Sequence, residues 1–306
     1  MFVPPGFQQQ STTTSLGEVV YYTPKSSWWL PDASGDAENA TSETSPFPPL
    51  VFLHGFGGGS SAYEWSKVYP AFAGEYNTIA PDLIGWGRSA HPARNYQIED
   101  YVSTICEFIE AVCTPPVPVV ASSLTAAFTI RAAVERPDLF QKLILTTAAG
   151  LSDFGERYTQ SFFTQLVNTP IVDRAVYNLG VANELGIRSF LEQRQFARSE
   201  RIFDEIVQAY LESAKQPNAE YAALSFVRGD LCFDLSEYIP QLTVPTAILW
   251  GKQSQFTGPE IGRRLAALNP ETVKFFVELK DAGLTPQLEL PAVTIAWIRK
   301  FLQVLL

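Results

Sequence analysis

The sequence predicts an α/β protein: a mainly parallel, doubly wound sheet carrying a helical cap insertion. Three observations carry this. Residues 50–53, 117–121 and 245–251 are short, largely apolar runs, the pattern of strands covered on both faces. Segments with helical apolar spacing stand between them, as in Ile98, Val102, Ile105, Phe108, Ile109 and Val112. From 151 to about 238 no convincing strand occurs, only helical segments carrying Phe162, Phe163, Leu166, Phe190, Leu191, Phe196, Ile202, Phe203, Ile206, Tyr210 and Leu211. The expected division is a first core part over 1–150, a helical cap over 151–238 and a second core part over 239–306.

Residues 16–23 alternate weakly and open as a strand. Residues 25–49 are polar, acidic and rich in Pro and Ser, as in Pro31-Asp32-Ala33-Ser34-Gly35-Asp36, and predict a long exposed loop. Trp28 and Trp29 at its start suit solvent poorly and are expected to dock. The strand at 50–53 runs into His54-Gly55-Phe56-Gly57-Gly58-Gly59-Ser60-Ser61. Glycines there let the backbone approach a ligand, and Ser60 or Ser61 can cap a helix over 63–74. A strand from Asn77 leads into Asp82-Leu83-Ile84-Gly85-Trp86-Gly87-Arg88-Ser89. A helix over 96–112 stops at Pro115-Pro116. After the central strand and its serine turn come a helix to about Glu135 and a strand at 143–146. Beyond the cap, 245–251 and 273–277 read as strands, 262–268 and 293–305 as helices.

The chain has 306 residues, 46% hydrophobic and 18% charged, with a formal net charge of -10. It is long enough for a sizeable core. The acidic balance argues against nucleic acid or an anionic membrane surface as partner. No apolar run approaches the roughly 20 residues that span a bilayer. The first residues lack a basic and then apolar leader pattern, so no secretory signal is expected. Three scattered cysteines, with Cys106 and Cys113 on one face of a helix, read as free thiols in a reducing compartment, giving a cytoplasmic expectation. Two histidines exclude a His-rich metal cluster.

Chemistry is expected where the run Val117-Pro118-Val119-Val120-Ala121 stops at Ser122-Ser123 and the Ala-rich helix begins. A strand, sharp turn and helix hold a serine in a strained conformation and aim a helix N-terminus at it. At this point the order of parts resembles the α/β-hydrolase superfamily. His54-Gly55-Phe56-Gly57 is similar to its oxyanion loop, and Asp82 to Ser89 to its D-x-x-G-x-G-x-S loop. Ala121-Ser122-Ser123-Leu124-Thr125 falls at its G-x-S-x-G nucleophile elbow, Trp250-Gly251 at W-G-x-x-D, and Ala282-Gly283-Leu284 at A-G-H. The match covers roughly 50–306 and implies the capped subtype of that fold.

The resemblance implies Ser123 as nucleophile, with Phe56, Gly57 and Leu124 building the oxyanion loop and elbow. Donors are expected from Phe56 N–H and Leu124 N–H at about 2.7–3.1 Å from an oxyanion. It also exposes departures. The elbow glycines are Ala121 and Thr125; the acid position falls on Ser254; the histidine position falls on Leu284. A serine without an adjacent base is a poor nucleophile. Loss of the histidine costs on the order of a millionfold in turnover. His54 reads as structural, His91 as a rim histidine, Asp82 as a loop brace; Asp153 and Asp281 are carboxylates with no imidazole to orient.

Three readings follow. The first is a hydrolase-like binder of a small apolar molecule, or of a protein partner, weakly active or not hydrolytic. The second is an active serine ester hydrolase or acyltransferase using Ser123 and a non-standard base. The third is a scaffold without a pocket. No cofactor motif is present: the glycines at 57–59 lack a P-loop lysine or a dinucleotide fingerprint.

Overall fold

The computed structural model of the chain describes residues 2–29, 45–156, 177 and 180–305. Eight strands occur among them: β1 (Phe7–Thr14), β2 (Gly17–Pro24), β3 (Pro49–Leu53), β4 (Asn77–Pro81), β5 (Val117–Ser122), β6 (Phe140–Thr146), β7 (Thr246–Gly251) and β8 (Val273–Leu279). They form one sheet in the order β1-β2-β4-β3-β5-β6-β7-β8. Strands β3 to β8 run parallel, and β1 and β2 attach antiparallel through β4. The main helices are α1 (Ile98–Val112), α2 (Ser123–Glu135), α3 (Glu184–Phe190), α4 (Asp204–Ala214), α5 (Ala219–Arg228), α6 (Pro259–Ala267) and α7 (Pro291–Val304).

The strands are buried on both sides because their side chains alternate between two cores. Val51, Leu53, Val119 and Ala121 face α1 and α2, packing with Ile105, Ile109 and Phe128. Leu50, Phe52 and Val120 face the other way, against Trp65, Tyr69, Phe72 and the α7 residues Ile298 and Phe301. Strand order reverses at β3, whose Val51 pairs with Ile79 of β4 on one side and Val119 of β5 on the other. Leu53 therefore lies opposite Ala121, and the segment leaving β3 meets the turn leaving β5. A crevice at such a switch point is where open α/β sheets place ligands.

The helical insertion leaves the sheet after β6 and returns before β7. Its base is closed by a bridge between Leu151 and Phe233. The carboxylate of Asp153 also accepts from Gly150 N–H (3.0 Å) and Leu235 N–H (2.9 Å). Phe162, Phe163 and Leu166 lie outside the described residues.

Several expectations needed correction. Strand β1, Phe-Gln-Gln-Gln-Ser-Thr-Thr-Thr, was not legible, because an edge strand with a half-solvated hairpin carries no apolar alternation. The helix expected over 63–74 is two 3-10 turns, Ala62–Trp65 and Tyr69–Phe72. Trp65 pins the first by donating its indole N–H to Leu53 O (2.9 Å), and Pro70 starts the second. Neither Ser60 nor Ser61 caps it through its side chain. Within 25–49, Ser26–Trp29 forms one helical turn, Pro49 already belongs to β3, and 30–44 lie outside the described residues. Trp29 docks as expected, donating to Gly6 O (3.0 Å) and packing on Phe7, whereas Trp28 is 61% exposed. Cys113 caps α1 instead of lying within it; all three cysteines are free thiols. No helix among the described residues is long and apolar enough to cross a membrane.

Candidate active site

The turn between β5 and α2 is as sharp as its sequence suggests. Ser122 is extended, Ser123 has φ 57, and α2 begins there. A positive φ is costly for a residue with a Cβ, of order 1–3 kcal/mol, and such strain concentrates at functional sites. Two more positive-φ residues, Thr147 (φ 47) after β6 and Leu151 (φ 66) at the root of the insertion, line the same void as Ser123. For the β-branched Thr147 this conformation is a true outlier.

That void is small, about 10 Å³, enough for one water. Its apolar wall is made by Phe56, Leu151, Phe226, Phe256 and Leu284. Leu284, where the resemblance expects histidine, is thus brought to Ser123, as is Phe56. Ser254, where it expects the acid, does not line the void; its Oγ is buried without a hydrogen-bond partner among the described residues. Ser123 Oγ makes no hydrogen bond among them either. No hydrogen bond among them engages Phe56 N–H or Leu124 N–H, the first from the turn after β3 and the second from the opening turn of α2.

The other candidate bases and acids are committed elsewhere. His54 is fully buried; its Nε2 accepts from Leu83 N–H (3.0 Å), so Nδ1 carries the proton and donates to Gly55 O (2.8 Å). Burial pushes its pKa down to about 4. His91 Nε2 lies 3.2 Å from Gly87 O, and burial lowers its pKa too. Asp82 accepts from Ala62 N–H (2.7 Å) and Arg88 N–H (2.9 Å), bracing both loops. Gly87 (φ 58) is required beside it, since a Cβ there would meet the Asp82 carboxyl at 2.1 Å. Burial raises Asp82 and Asp153 to about 6 each, against the backbone N–H groups that favour their charged forms. Asp281 is drawn to the insertion by Arg198 (2.8 Å), which lowers its pKa.

Sequence reading missed a buried polar strut beneath the turn. Gly55 N–H donates to Glu64 Oε2 (2.8 Å), Tyr210 Oη–H to Glu64 Oε1 (3.0 Å), and Gln195 Nε2–H to Tyr210 Oη (2.8 Å). Gln287 Nε2–H donates to Ser122 Oγ (3.0 Å). Burial raises the Glu64 pKa, opposed by hydrogen bonding to its carboxylate, with Gly55 N–H and Tyr210 Oη–H among the donors. The available signal was one carboxylate inside the aromatic run Tyr63-Glu64-Trp65. The three glycines at 57–59 have an equally local reason. The insertion descends on them: a Cβ at Gly57 would meet the Phe190 ring at 3.0 Å, at Gly58 Val181 at 2.4 Å, and at Gly59 (φ +94) the Tyr210 carbonyl at 2.1 Å.

Comparison with known proteins agrees with this fold. The model of the alpha/beta hydrolase family matches residues 50–297. The chain belongs to that family. It is 26% identical over 230 residues to the uncharacterized hydrolase YugF of Bacillus subtilis (strain 168), covering 74% of this chain and 80% of that protein. It is 27% identical over 220 residues to (E)-2-((N-methylformamido)methylene)succinate hydrolase of Acinetobacter baylyi (strain ATCC 33305 / BD413 / ADP1), covering 71% and 77%. Among solved structures, the Cif epoxide hydrolase from Acinetobacter nosocomialis superposes with a TM-score of 0.76 at 16% identity, over 98% of this chain and 90% of that one. At that identity the likeness concerns the fold alone.

Proposed function

We propose that this alpha/beta hydrolase family member binds a small, mostly apolar molecule between the sheet and a cap formed by 151–238, and hydrolyses esters weakly or not at all. Any residual turnover would run through Ser123, with the Phe56 and Leu124 N–H groups facing the carbonyl oxygen. The observation that carries the reading is the apolar side chain of Leu284 beside a Ser123 hydroxyl without a hydrogen-bond partner among the described residues. His54 cannot replace the missing base, because both ring nitrogens are engaged in the interior and its protonation is disfavoured. The reading places the protein in the cytoplasm and uses no cofactor.

The strained Ser123 backbone favours a second reading, an active ester hydrolase using Ser123 and an unusual base. Hydrolysis of p-nitrophenyl butyrate separates the two. The first expects wild-type rates at most marginally above those of Ser123→Ala. Turnover at least about a hundredfold above that background, lost in Ser123→Ala, establishes the second.

A further inference from the structure

A second, much larger cavity of about 640 Å³ lies under the insertion, outside the void at Ser123. Its apolar wall includes Ile187, Phe190, Leu224, Val227 and Ile261. The two spaces share Leu151, Phe226, Phe256 and Thr257, which therefore form the partition between them. The partition continues as a chain of rings. Phe56 beside Ser123 contacts Phe226 (centroids 6.3 Å), Phe226 contacts Phe256 (6.4 Å), and Phe256 contacts Phe190 (6.2 Å), which covers Gly57.

We infer that the ligand occupies this outer chamber, that it is a predominantly apolar molecule carrying no negative charge, and that Phe226 and Phe256 hold it away from Ser123. The inference rests on the proposed function and names its ligand class. The volume suits a drug-sized molecule, whereas the inner void takes a water. Charge sets the class. Among the described residues lining the chamber, Asp153, Glu156 and Glu260 face a single cation, Arg194. Glu156 is already paired with Arg264 (2.7 Å), and Arg194 is exposed at the rim. An anionic ligand meets an excess of carboxylates and loses its hydration in an apolar wall.

Two fluorescent probes that differ by one sulfonate test this: neutral N-phenyl-1-naphthylamine and anionic 8-anilinonaphthalene-1-sulfonate. The neutral probe is expected to bind at least about tenfold tighter. Filling the chamber with Val227→Trp or, separately, Ala223→Phe should weaken it by a similar factor, with thermal unfolding confirming that each variant folds. Partition is read through Ser123→Cys, by mass-spectrometric labelling of the introduced thiol with 4,4′-dithiodipyridine. Labelling should be slow with Phe256 intact, at least about tenfold faster with Phe256→Ala added, and suppressed by the neutral probe in the double variant. Equal affinity for both probes, binding unmoved by both filling variants, or an introduced thiol that reacts equally fast with Phe256 present overturns the inference. Fast, Ser123-dependent ester turnover by the wild-type protein contradicts the proposed function instead, and leaves the probe and labelling results to decide the chamber by themselves.

Discussion

At Ser123 a strained backbone (φ 57) opens a helix, while the Leu284 side chain that lines the same void is apolar. An imidazole restored at Leu284 should therefore act on a hydroxyl already in place. Leu284→His is expected to let Ser123 form a fluorophosphonate adduct that the wild-type protein does not form over the same incubation, because a positioned base contributes roughly 10²-fold and upward. Glu64 gives the opposite kind of prediction. It is the shared acceptor for Gly55 N–H and Tyr210 Oη–H in a fully buried site. Glu64→Ala leaves both donors unsatisfied and should lower unfolding stability by about 2–4 kcal/mol in urea titration. That Ser123, Phe56 and Leu284 come together around one void was legible in the sequence, because local motifs place them. Glu64, Tyr210, Gln195 and Gln287 were not, since their meeting depends on packing between distant segments: 146 residues separate Glu64 from Tyr210, and 165 separate Ser122 from Gln287.

Between elements, the decisive contact is the insertion against the loop after β3. Gly59 sits at φ +94 with the Tyr210 carbonyl where a Cβ would stand. Gly59→Ala should cost at least about 2 kcal/mol and lower the thermal midpoint, with Gly74→Ala, which has open space, as the comparison. A second latch joins the insertion to the segment before α7. Glu289 accepts from Ala197 N–H (2.7 Å) and from Gly283 N–H, with Arg201 3.7 Å away. Burial pushes its carboxyl up to about 7 from an ordinary 4.5. A folded pKa above the unfolded one means that the native state holds the proton more tightly, so stability falls as pH rises across 4.5 to 7. Asp82 and Asp153, raised from 3.8 to about 6, act in the same direction over 3.8 to 6. His54 and His91, whose pKa values burial lowers from 6.5, act the other way up to about pH 6.5, so the carboxylates are isolated by variant: between about pH 5.5 and about pH 8 the urea midpoint of the wild-type protein should fall further, or rise less, than that of Glu289→Gln. The same pH dependence in the wild-type protein and in Glu289→Gln contradicts the assignment. The short strands and long helices were readable from periodicity; β1 was not, because a polar edge strand has no apolar face to show, and the helix expected over 63–74 is two 3-10 turns because a candidate cap residue does not distinguish an α-helix from successive 3-10 turns.

Across the whole molecule, the strand order places the β3 and β5 ends together, the glycines let the insertion close on them, and the rings divide the enclosed space in two. The family resemblance was visible because its motifs follow the chain in order. The division of the interior was not, because Phe56, Phe226 and Phe256 come from three distant segments. The central claim is that Ser123 has no base to activate it. Intact-mass analysis after incubation with a fluorophosphonate, with Ser123→Ala alongside, tests it most directly. The account predicts no adduct on the folded wild-type protein beyond that on Ser123→Ala. A stoichiometric adduct that maps to Ser123 and vanishes in the variant would contradict it.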